Sequence, residues 1–341
     1  MTDGATVNRT SVIGPVDGRD MPRFAGAATF ARLPEIDRVT DYDVAVLGVP
    51  FDNGTSYRPG ARFGPMAVRQ ASRHLRPGHH VELDCAPFGL IQVADAGDVP
   101  VTPFSIDGAV TQIAAHAGDV MRGGRTVIAI GGDHTVALPM LRSVVRAHGP
   151  VALVHFDAHL DTWDTYFDAP VTHGTMFRRA FEEDLLIADH SIHVGIRGPI
   201  YGHADLADDK RFGFRTIRAS DIDDLGIGGT IEAITERAGD LPVYLSVDID
   251  VLDPSFAPGT GTPEVGGLTS RELLRVLRGL TGLHLVGADV VEVAPAYDHA
   301  EVTALAAATV IFDMITLLAH RRSGRRDVNL LGGGQVAAGG A

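Results

Sequence analysis

The sequence predicts a single α/β domain of three layers, α/β/α, around a mainly parallel central sheet. Short apolar runs with the length of buried strands alternate along the chain with longer segments of helical spacing. Polar residues follow several of these runs directly, and ligands bind in such folds where strands end. The 341 residues, 45% of them hydrophobic and 21% charged, are enough for one large core.

Each predicted strand is an apolar run bounded by glycine, proline or polar residues, which is typical of strands buried in a parallel sheet. The run at 151–154, for example, follows Gly149 and Pro150 and leads into acidic residues. The strands are predicted at residues 43–50, 90–93, 126–130, 151–157, 191–195, 214–217, 243–247 and 285–291.

The predicted helices are the segments in which apolar residues recur every three or four positions. In the first of them, Met66, Val68 and Ala71 form such a stripe. The helices are predicted at residues 65–75, 106–121, 134–147, 175–183, 202–210, 229–239, 270–279 and 302–320. Loops are expected at 51–60 and 160–173, and loops that follow strands commonly carry ligand contacts.

The two ends of the chain differ from this body. Residues 1–40 are rich in Gly, Pro and Thr and lack periodicity, so we predict an irregular N-terminal arm that packs on the body or on a neighbouring subunit. Residues 41–321 form the predicted domain. Residues 322–341 end in small residues and glycines, which predicts a flexible tail.

Composition excludes several classes of function. The 29 basic and 43 acidic residues give a net charge of −14, which disfavours nucleic acid and anionic membrane as partners and favours a cationic ligand. The N-terminus lacks a signal-peptide core, and no uninterrupted apolar run approaches a membrane span of roughly 20 residues, so we expect a cytoplasmic protein. The single cysteine, Cys85, can form neither an internal disulfide nor a thiolate metal site.

Six acidic and imidazole side chains follow the ends of three predicted strands. They are His134, Asp157, His159, Asp161, Asp248 and Asp250. Extended backbone would place Asp157, His159 and Asp161 on one face, where they repel one another unless a cation lies among them. The carboxylates of the set carry −4, which two divalent cations neutralise. Mixed oxygen and nitrogen donors suit Mn²⁺ best, with Ni²⁺, Co²⁺ or Zn²⁺ as alternatives, and such a pair of ions supports hydrolysis.

Three segments resemble the signature motifs of the ureohydrolase family, which includes arginase and agmatinase. They are Gly131-Gly132-Asp133-His134-Thr135, Phe156-Asp157-Ala158-His159-Leu160-Asp161-Thr162 and Ser246-Val247-Asp248-Ile249-Asp250-Val251-Leu252-Asp253-Pro254. Further similarity lies at 58–65 and 256–263. The resemblance implies a fold of the arginase-deacetylase type, a catalytic domain at 41–321 and two Mn²⁺ ions per subunit held by the six side chains above. It also implies a homo-oligomer, either a trimer or a hexamer.

The same resemblance implies a guanidino substrate and roles for individual residues. A guanidinium is a poor electrophile, so water must be activated by metal and the leaving amine must gain a proton. His173 matches the family's proposed proton shuttle, and Glu292, which interrupts an apolar stretch, matches its guanidinium-binding glutamate. We expect Asp161 to act with them as a catalytic residue. The products would be urea and an amine.

The segment after the second motif bears on the substrate. Trp163 follows directly where arginase-type sequences place an asparagine nearby for the substrate carboxylate, which argues against arginine. The stretch is more similar to agmatinases, guanidinobutyrases and proclavaminate amidinohydrolase. We predict agmatine, with 4-guanidinobutanoate or a proclavaminate-type guanidine as alternatives. The candidates for contact with the far end of the substrate are Tyr57, Arg58, Trp163, Asp164 and Tyr166.

Two other classes of protein fit parts of the pattern. A deacetylase shares the α/β layout, but it uses a single Zn²⁺ ion and would not need all six ligands. A catalytically silent subunit that supports an active homologue is the non-enzymatic alternative, although it has no chemical reason to keep every ligand.

Overall fold

The computed structural model describes residues 12–322, which contain an eight-stranded parallel sheet with helices on both faces. The strands are β1 Val44–Gly48, β2 Val93–Asp98, β3 Thr126–Ile130, β4 Ala152–Phe156, β5 Ile192–Ile196, β6 Arg215–Arg218, β7 Pro242–Asp248 and β8 His284–Val291. The helices are α1 Gly64–Ser72, α2 Pro87–Leu90, α3 Ile106–Val120, α4 Ala137–His148, α5 Met176–Glu182, α6 His203–Phe212, α7 Ala219–Ala238, α8 Ser270–Arg278 and α9 Val302–Arg322. The predicted three-layer α/β domain is confirmed.

The strand order is β2-β1-β3-β8-β7-β4-β5-β6. Every pairing is parallel, so the carboxyl ends of all strands lie at one edge of the sheet. Strands β3, β8, β7 and β4 are consecutive neighbours in this order. The polar residues that follow them are therefore brought together, although the sequence separates them widely.

Each face of the sheet has its own hydrophobic core. Side chains of α1, α2, α7, α8 and α9 pack on one face, and those of α3, α4 and α5 pack on the other. Strands β1, β4 and β5 are buried along their whole length, as their continuous apolar runs predicted.

Two predicted boundaries are wrong. The strand predicted at 90–93 begins only at Val93, because Pro87 opens the short helix α2, which occupies the residues up to Leu90. The helix predicted at 229–239 begins ten residues earlier in the sequence, at Ala219, and bends at Gly226, whose φ is +65°. The low helix propensity of its glycines concealed this first part.

The described part of the predicted arm, residues 12–40, contains two short 3₁₀ helices, Phe30–Arg32 and Ile36–Arg38, and an isolated parallel bridge from Glu35 to Asp95. Phe30 and Leu33 are buried in the core on the α9 side of the sheet, which fixes this part of the arm to the body. The first eleven residues and the predicted tail beyond Arg322 lie outside the described residues.

Helix α9 and the turn before it, His299–Arg322, are long and apolar enough by length and composition to cross a membrane. Of the most apolar window, however, 78% is buried inside the protein, as in the core helix of a globular domain. Asp313 interrupts the apolar run. Its carboxylate lies 2.8 Å from His80 Nε2 and 2.8 Å from Arg278 Nε, so the helix also carries a buried ionic network.

Candidate active site

The candidate site lies at the carboxyl ends of the four neighbouring strands β3, β8, β7 and β4. Each of these strands ends in polar residues or is followed closely by them, and the buried apolar strand fixes their position. The residues concerned are His134 after β3, Asp157, His159 and Asp161 after β4, Asp248 and Asp250 at the end of β7, and Glu292 after β8. All of them are buried except His159, which is partly buried.

The first half of the cluster surrounds the imidazole of His134. Its Nδ1 lies 2.9 Å from Asp161 Oδ2, 3.2 Å from Asp157 Oδ2 and 3.4 Å from Asp248 Oδ2. His134, Asp157 and Asp161 belong to a group, with His155, whose ligand atoms are close enough to hold one metal ion.

The second half of the cluster surrounds His159. Its Nδ1 lies 3.2 Å from Asp250 Oδ2 and 3.3 Å from Asp157 Oδ1. These three residues form a second group that could hold a metal ion. Because Asp157 belongs to both groups, the two candidate metal positions share a carboxylate, as a dinuclear centre requires.

The charges in this cluster favour a bound cation. Burial opposes protonation of His134, but the carboxylates of Asp157, Asp161 and Asp248 hold its pKa well above the usual value. Burial and repulsion from Asp157 raise the pKa of Asp161 and raise that of Asp250 to about 6. The carboxylates thus carry more negative charge than their surroundings neutralise, and a divalent cation would relieve it.

The donor atoms fit divalent metal ions. His134 Nδ1 is buried and forms no hydrogen bond of acceptable geometry, although three carboxylates surround it. Its other nitrogen, Nε2, lies 2.8 Å from Ser246 Oγ, which donates to Asp289 Oδ1 at 2.6 Å. Nε2 therefore carries a hydrogen, and Nδ1 faces the carboxylates. In the metal-free protein the raised pKa of His134 places a second proton on Nδ1, and a bound cation would take the place of that proton, as in a metal-binding histidine.

Glu292 and His173 lie together beside this cluster. His173 Nδ1 is 3.0 Å from Glu292 Oε1, and Ser56 Oγ lies 2.7 Å from His173 Nε2. Burial opposes protonation of His173, but its hydrogen bond to Glu292 outweighs burial and raises its pKa to about 9. Glu292 Oε2 is buried and has no hydrogen-bond partner among the described residues, so it is an unused acceptor within the site.

Two residues of the site have strained backbones. Asp161 has φ +57° and Glu292 has φ +64°, in the left-handed region that non-glycine residues enter at a cost of about 1–3 kcal/mol each. At both positions the chain turns sharply after an apolar strand. The turn directs the carboxylate into the cluster, which explains why the strain is retained.

A cavity of about 480 Å³ opens above the cluster, where Asp161, His173 and Asp248 form part of its wall. Of the predicted substrate contacts, Tyr57, Arg58, Trp163 and Tyr166 line this cavity. The loop that bears Tyr57 and Arg58 can approach because Gly132 has no side chain, since a Cβ there would overlap the carbonyl oxygen of Phe51.

Neither Glu292 nor Asp164 lines the cavity. Glu292 lies directly behind the cavity-lining His173, whereas Asp164 is turned away from the site, so the expectation for Asp164 is not met. Its carboxylate is exposed and lies 2.7 Å from Arg179 Nη2 and 3.6 Å from Arg178 Nε. The two arginines of α5 hold it on the outside of the loop. Asp164 is therefore a surface ion-pair residue and no direct contact of a ligand in the cavity.

Sequence reasoning missed several residues that the fold brings to the site. Glu264 and Tyr201 line the cavity, and Ser56 contacts His173. Glu264 directly follows the similar stretch at 256–263, which was a usable signal, whereas nothing local marks Tyr201. His155 was also missed, because it lies inside an apolar strand, where a histidine is usually read as a packing residue.

Comparison with known proteins agrees with this geometry. Residues 42–316 match the arginase family. The chain is 45% identical to putative agmatinase 3 of Schizosaccharomyces pombe, over 87% of this chain and 81% of that protein. It is 46% identical to guanidinopropionase of Pseudomonas aeruginosa, over 90% of this chain and 96% of that protein.

Solved structures give the same answer. The fold matches that of proclavaminate amidinohydrolase from Streptomyces clavuligerus with a TM-score of 0.84 and 42% identity, over 88% of this chain and 99% of that one. Matches of this extent and identity establish the family. The arginase family depends on a dinuclear metal centre, and the two groups of His and Asp side chains described above could bind metal in this chain. The chain belongs to the arginase family, and it is a ureohydrolase that acts on guanidino compounds.

Proposed function

We propose that the protein hydrolyses agmatine to putrescine and urea, with two Mn²⁺ ions bound by His134, Asp157, His159, Asp161, Asp248 and Asp250. The observation that carries the guanidinium part of this proposal is the unused acceptor Glu292 Oε2, which is buried beside the metal-type cluster. A carboxylate in such a place pairs with a planar guanidinium through charge-assisted hydrogen bonds.

The residues around the cluster can supply the remaining steps. Two bound divalent ions would activate a water molecule and stabilise the charge that develops as it attacks. His173 has a pKa raised to about 9, so near neutral pH its ring takes up a second proton at Nε2, in place of the hydrogen bond that Nε2 accepts from the backbone N–H of Ser56. It is thus suited to protonate the amine as the bond to the central guanidinium carbon breaks.

The cavity wall also favours a cationic group on the substrate. Glu264 lines the cavity with its Oε1 3.7 Å from His159 Nε2, and among the described residues no lysine or arginine lies within ion-pair distance of its carboxylate. The rings of Trp163, Tyr166 and Tyr201 line the same space, and aromatic faces attract ammonium groups. The distal ammonium of agmatine would find both kinds of contact.

One observation favours the alternative, a guanidino acid such as 4-guanidinobutanoate. Arg58 lines the cavity, stacks on Tyr297 with 4.7 Å between its guanidinium carbon and the ring centroid, and donates from Nε to Gly261 O at 3.2 Å. Within residues 12–322 no carboxylate forms an ion pair with Arg58. A distal carboxylate on the substrate could therefore pair with it.

A urea-release assay distinguishes between agmatine and a guanidino acid as the substrate. The purified Mn²⁺-loaded protein is offered agmatine, 4-guanidinobutanoate, a proclavaminate-type guanidine and arginine, and we expect agmatine to give the highest kcat/KM. Glu264→Gln should lower kcat/KM for agmatine about tenfold to hundredfold and spare 4-guanidinobutanoate, because a hydrogen bond to a charged group is lost. If Arg58→Gln instead abolishes the preferred activity and Glu264→Gln does not, the substrate is a guanidino acid.

The metal and the assembly are further parts of the proposal. Mn²⁺ suits the mixture of carboxylate and imidazole donors, and metal analysis of protein purified without added metal tests it against Ni²⁺, Co²⁺ and Zn²⁺. We also propose a homo-oligomer, a trimer or a hexamer. Light scattering on the eluting protein measures its mass directly, and a mass of one chain would contradict this part.

A further inference from the structure

A chain of buried polar side chains leads from the candidate metal ligand Asp157 to the far side of β5. Its members are Asp157, His155, His193 and Asp209, all of them at most 1% exposed. None of the last three was predicted to have a role. Buried polar groups of this kind are costly unless they are partnered, so their partners indicate what they do.

The contacts run from one residue to the next. His155 Nε2 lies 2.8 Å from Asp157 Oδ2, and His155 Nδ1 lies 2.7 Å from His193 Nδ1. A neutral imidazole has one N–H, so His155 donates to Asp157 through Nε2 and accepts at Nδ1 from the N–H of His193. Since His193 Nδ1 already carries the hydrogen donated to His155, attraction to Asp209 requires a second hydrogen on His193 Nε2, which lies 3.3 Å from Asp209 Oδ1 outside hydrogen-bond geometry.

The parallel pairing of β4 and β5 explains the meeting of the two histidines. His155 and His193 are direct register partners, so their side chains leave the sheet side by side on the same face. Asp209 is the only buried residue of α6. Its carboxylate accepts hydrogen bonds from Thr162 Oγ1 at 3.0 Å and from Thr216 Oγ1 at 3.2 Å, which fixes its position.

We propose that His155, backed by His193 and Asp209, is a positioning residue that orients the Asp157 carboxylate for metal binding. Asp157 Oδ1 already accepts from the backbone N–H of His159 at 2.6 Å, and His155 holds Oδ2. With both oxygens fixed, their remaining lone pairs face His134 on one side and His159 on the other. The shared carboxylate of the two metal positions is thereby set before metal arrives.

The position of His155 leaves one competing role. Its Nε2 is close enough to His134, Asp157 and Asp161 to serve as a metal ligand itself. A ligand would have to turn its lone pair to the metal and give up its hydrogen bond to Asp157. A positioning residue keeps that hydrogen bond, so the two roles predict different metal stoichiometries.

The test is Mn²⁺ binding by metal-stripped protein, measured by calorimetric titration, so it does not depend on substrate or turnover. We expect His155→Leu to weaken Mn²⁺ binding about tenfold to hundredfold, with two ions per chain still bound at saturation. His155→Gln should restore most of the affinity, because its amide nitrogen reaches the place of Nε2 and can donate to Asp157.

The chain offers a matched control in His80, another buried histidine whose Nε2 lies 2.8 Å from an aspartate, Asp313. His80→Leu should lower the melting temperature and leave Mn²⁺ affinity within about twofold. If His155→Leu does not fold, Asp209→Asn replaces it as the test variant. This substitution keeps the side-chain volume, removes the charge at the end of the row of polar side chains that is farthest from Asp157, and should weaken Mn²⁺ binding a few-fold.

Three results would overturn the inference. The first is Mn²⁺ affinity that is unchanged in His155→Leu or Asp209→Asn. The second is the loss of one bound Mn²⁺ ion in both His155 variants. The third is Mn²⁺ binding that is weakened equally in His155→Leu and His155→Gln. The inference rests on the proposed metal site, so Asp157→Ala is measured beside them. Unchanged Mn²⁺ binding in Asp157→Ala would refute that site, whereas weakened binding there beside normal binding in His155→Leu refutes only the positioning role.

Discussion

At the scale of single residues, Glu292 has an environment that the fold alone does not explain. It is 1% exposed, its backbone has φ +64°, and one of its oxygens has no hydrogen-bond partner among the described residues. A residue that is buried, strained and incompletely paired stabilises the fold poorly. Its retention is explained by contact with a ligand that supplies the missing donors.

We expect Glu292→Ala to lower kcat/KM for the guanidino substrate by about a hundredfold or more, because a buried charged partner is worth about 2–5 kcal/mol. The variant should still bind two Mn²⁺ ions per chain. Glu183→Ala, which removes an exposed partner of Arg142, is the control and should leave kcat/KM unchanged. Normal urea release by Glu292→Ala would remove its role in binding guanidinium.

His173 should set the alkaline limit of activity. Its pKa is raised to about 9 by the hydrogen bond to Glu292 against the effect of burial, so the proton it donates is lost only above that pH. The kcat/KM profile of the wild type should therefore fall as the pH rises through about 9. His173→Ala should lower turnover about 10²- to 10⁴-fold and abolish this limb. An unchanged alkaline limb in His173→Ala would assign it to another group.

At the scale of elements, the sequence predicted the strands and helices that have a local periodic pattern and missed features that lack one. The apolar runs of β1, β3 and β7 and the stripe of α1 are visible in the sequence because strand and helix periodicity is local. Helix α2 was missed, since its four residues are shorter than any periodic signal. The loop after β4 was predicted as a loop, but the arginines that hold Asp164 outside the cavity lie on the next helix.

Helix α9 shows how a polar residue can be essential to an apolar element. Asp313 is fully buried and neutralises Arg278, while it also hydrogen-bonds to His80. Asp313→Ala should lower the free energy of unfolding by about 3 kcal/mol, because Arg278 loses its buried partner and keeps only the exposed Glu82, while the buried His80 loses its hydrogen bond. Urea denaturation followed by circular dichroism measures this change.

The control for Asp313 is Asp119→Ala, which breaks a pair with Arg122 in which both side chains are largely exposed. That change should remain within about 0.5 kcal/mol. Mn²⁺ binding by Asp313→Ala should be normal, since the network does not contact the predicted ligands. A free energy of unfolding equal to that of Asp119→Ala would show that the network does not stabilise the helix.

At the scale of the whole molecule, the buried carboxylates in and beside the candidate metal centre should couple stability to pH. In the metal-free protein, burial and neighbouring carboxylates raise the pKa of Asp250 to about 6 and that of Asp133 to about 7. An acid whose pKa is raised in the folded state stabilises the fold below its unfolded pKa of about 4. That stability is lost as the pH rises through its folded pKa.

Removal of metal should therefore destabilise the protein more at about pH 7.5 than at about pH 5. Scanning fluorimetry of stripped and Mn²⁺-loaded protein at both pH values measures the gain in melting temperature. We expect the larger gain at the higher pH, where the cluster is most negative. Equal gains at both pH values, or fewer than two ions per chain by metal analysis, would contradict the dinuclear centre.

The sequence by itself determined the α/β class, most strands and helices, and the residues offered as ligands. Each of these depends on neighbours in the chain: an apolar run, a helical stripe, or acidic and imidazole residues close behind an apolar run. The extended backbone expected at 157–161 is wrong, because β4 ends at Phe156 and Asp161 has φ +57°. Family resemblance added roles for His173 and Glu292, because their motifs are contiguous. These inferences needed no knowledge of which strand lies beside which.

Only the tertiary structure decided how these parts meet. The order β3-β8-β7-β4 brings four strand ends together, and the pairing of β4 with β5 places His155 against His193. Glu264 and Tyr201 reach the cavity from loops far along the chain, while Asp164 turns away from it. Such contacts join residues that are distant in sequence, so they follow from the packing of the whole chain and from no local pattern.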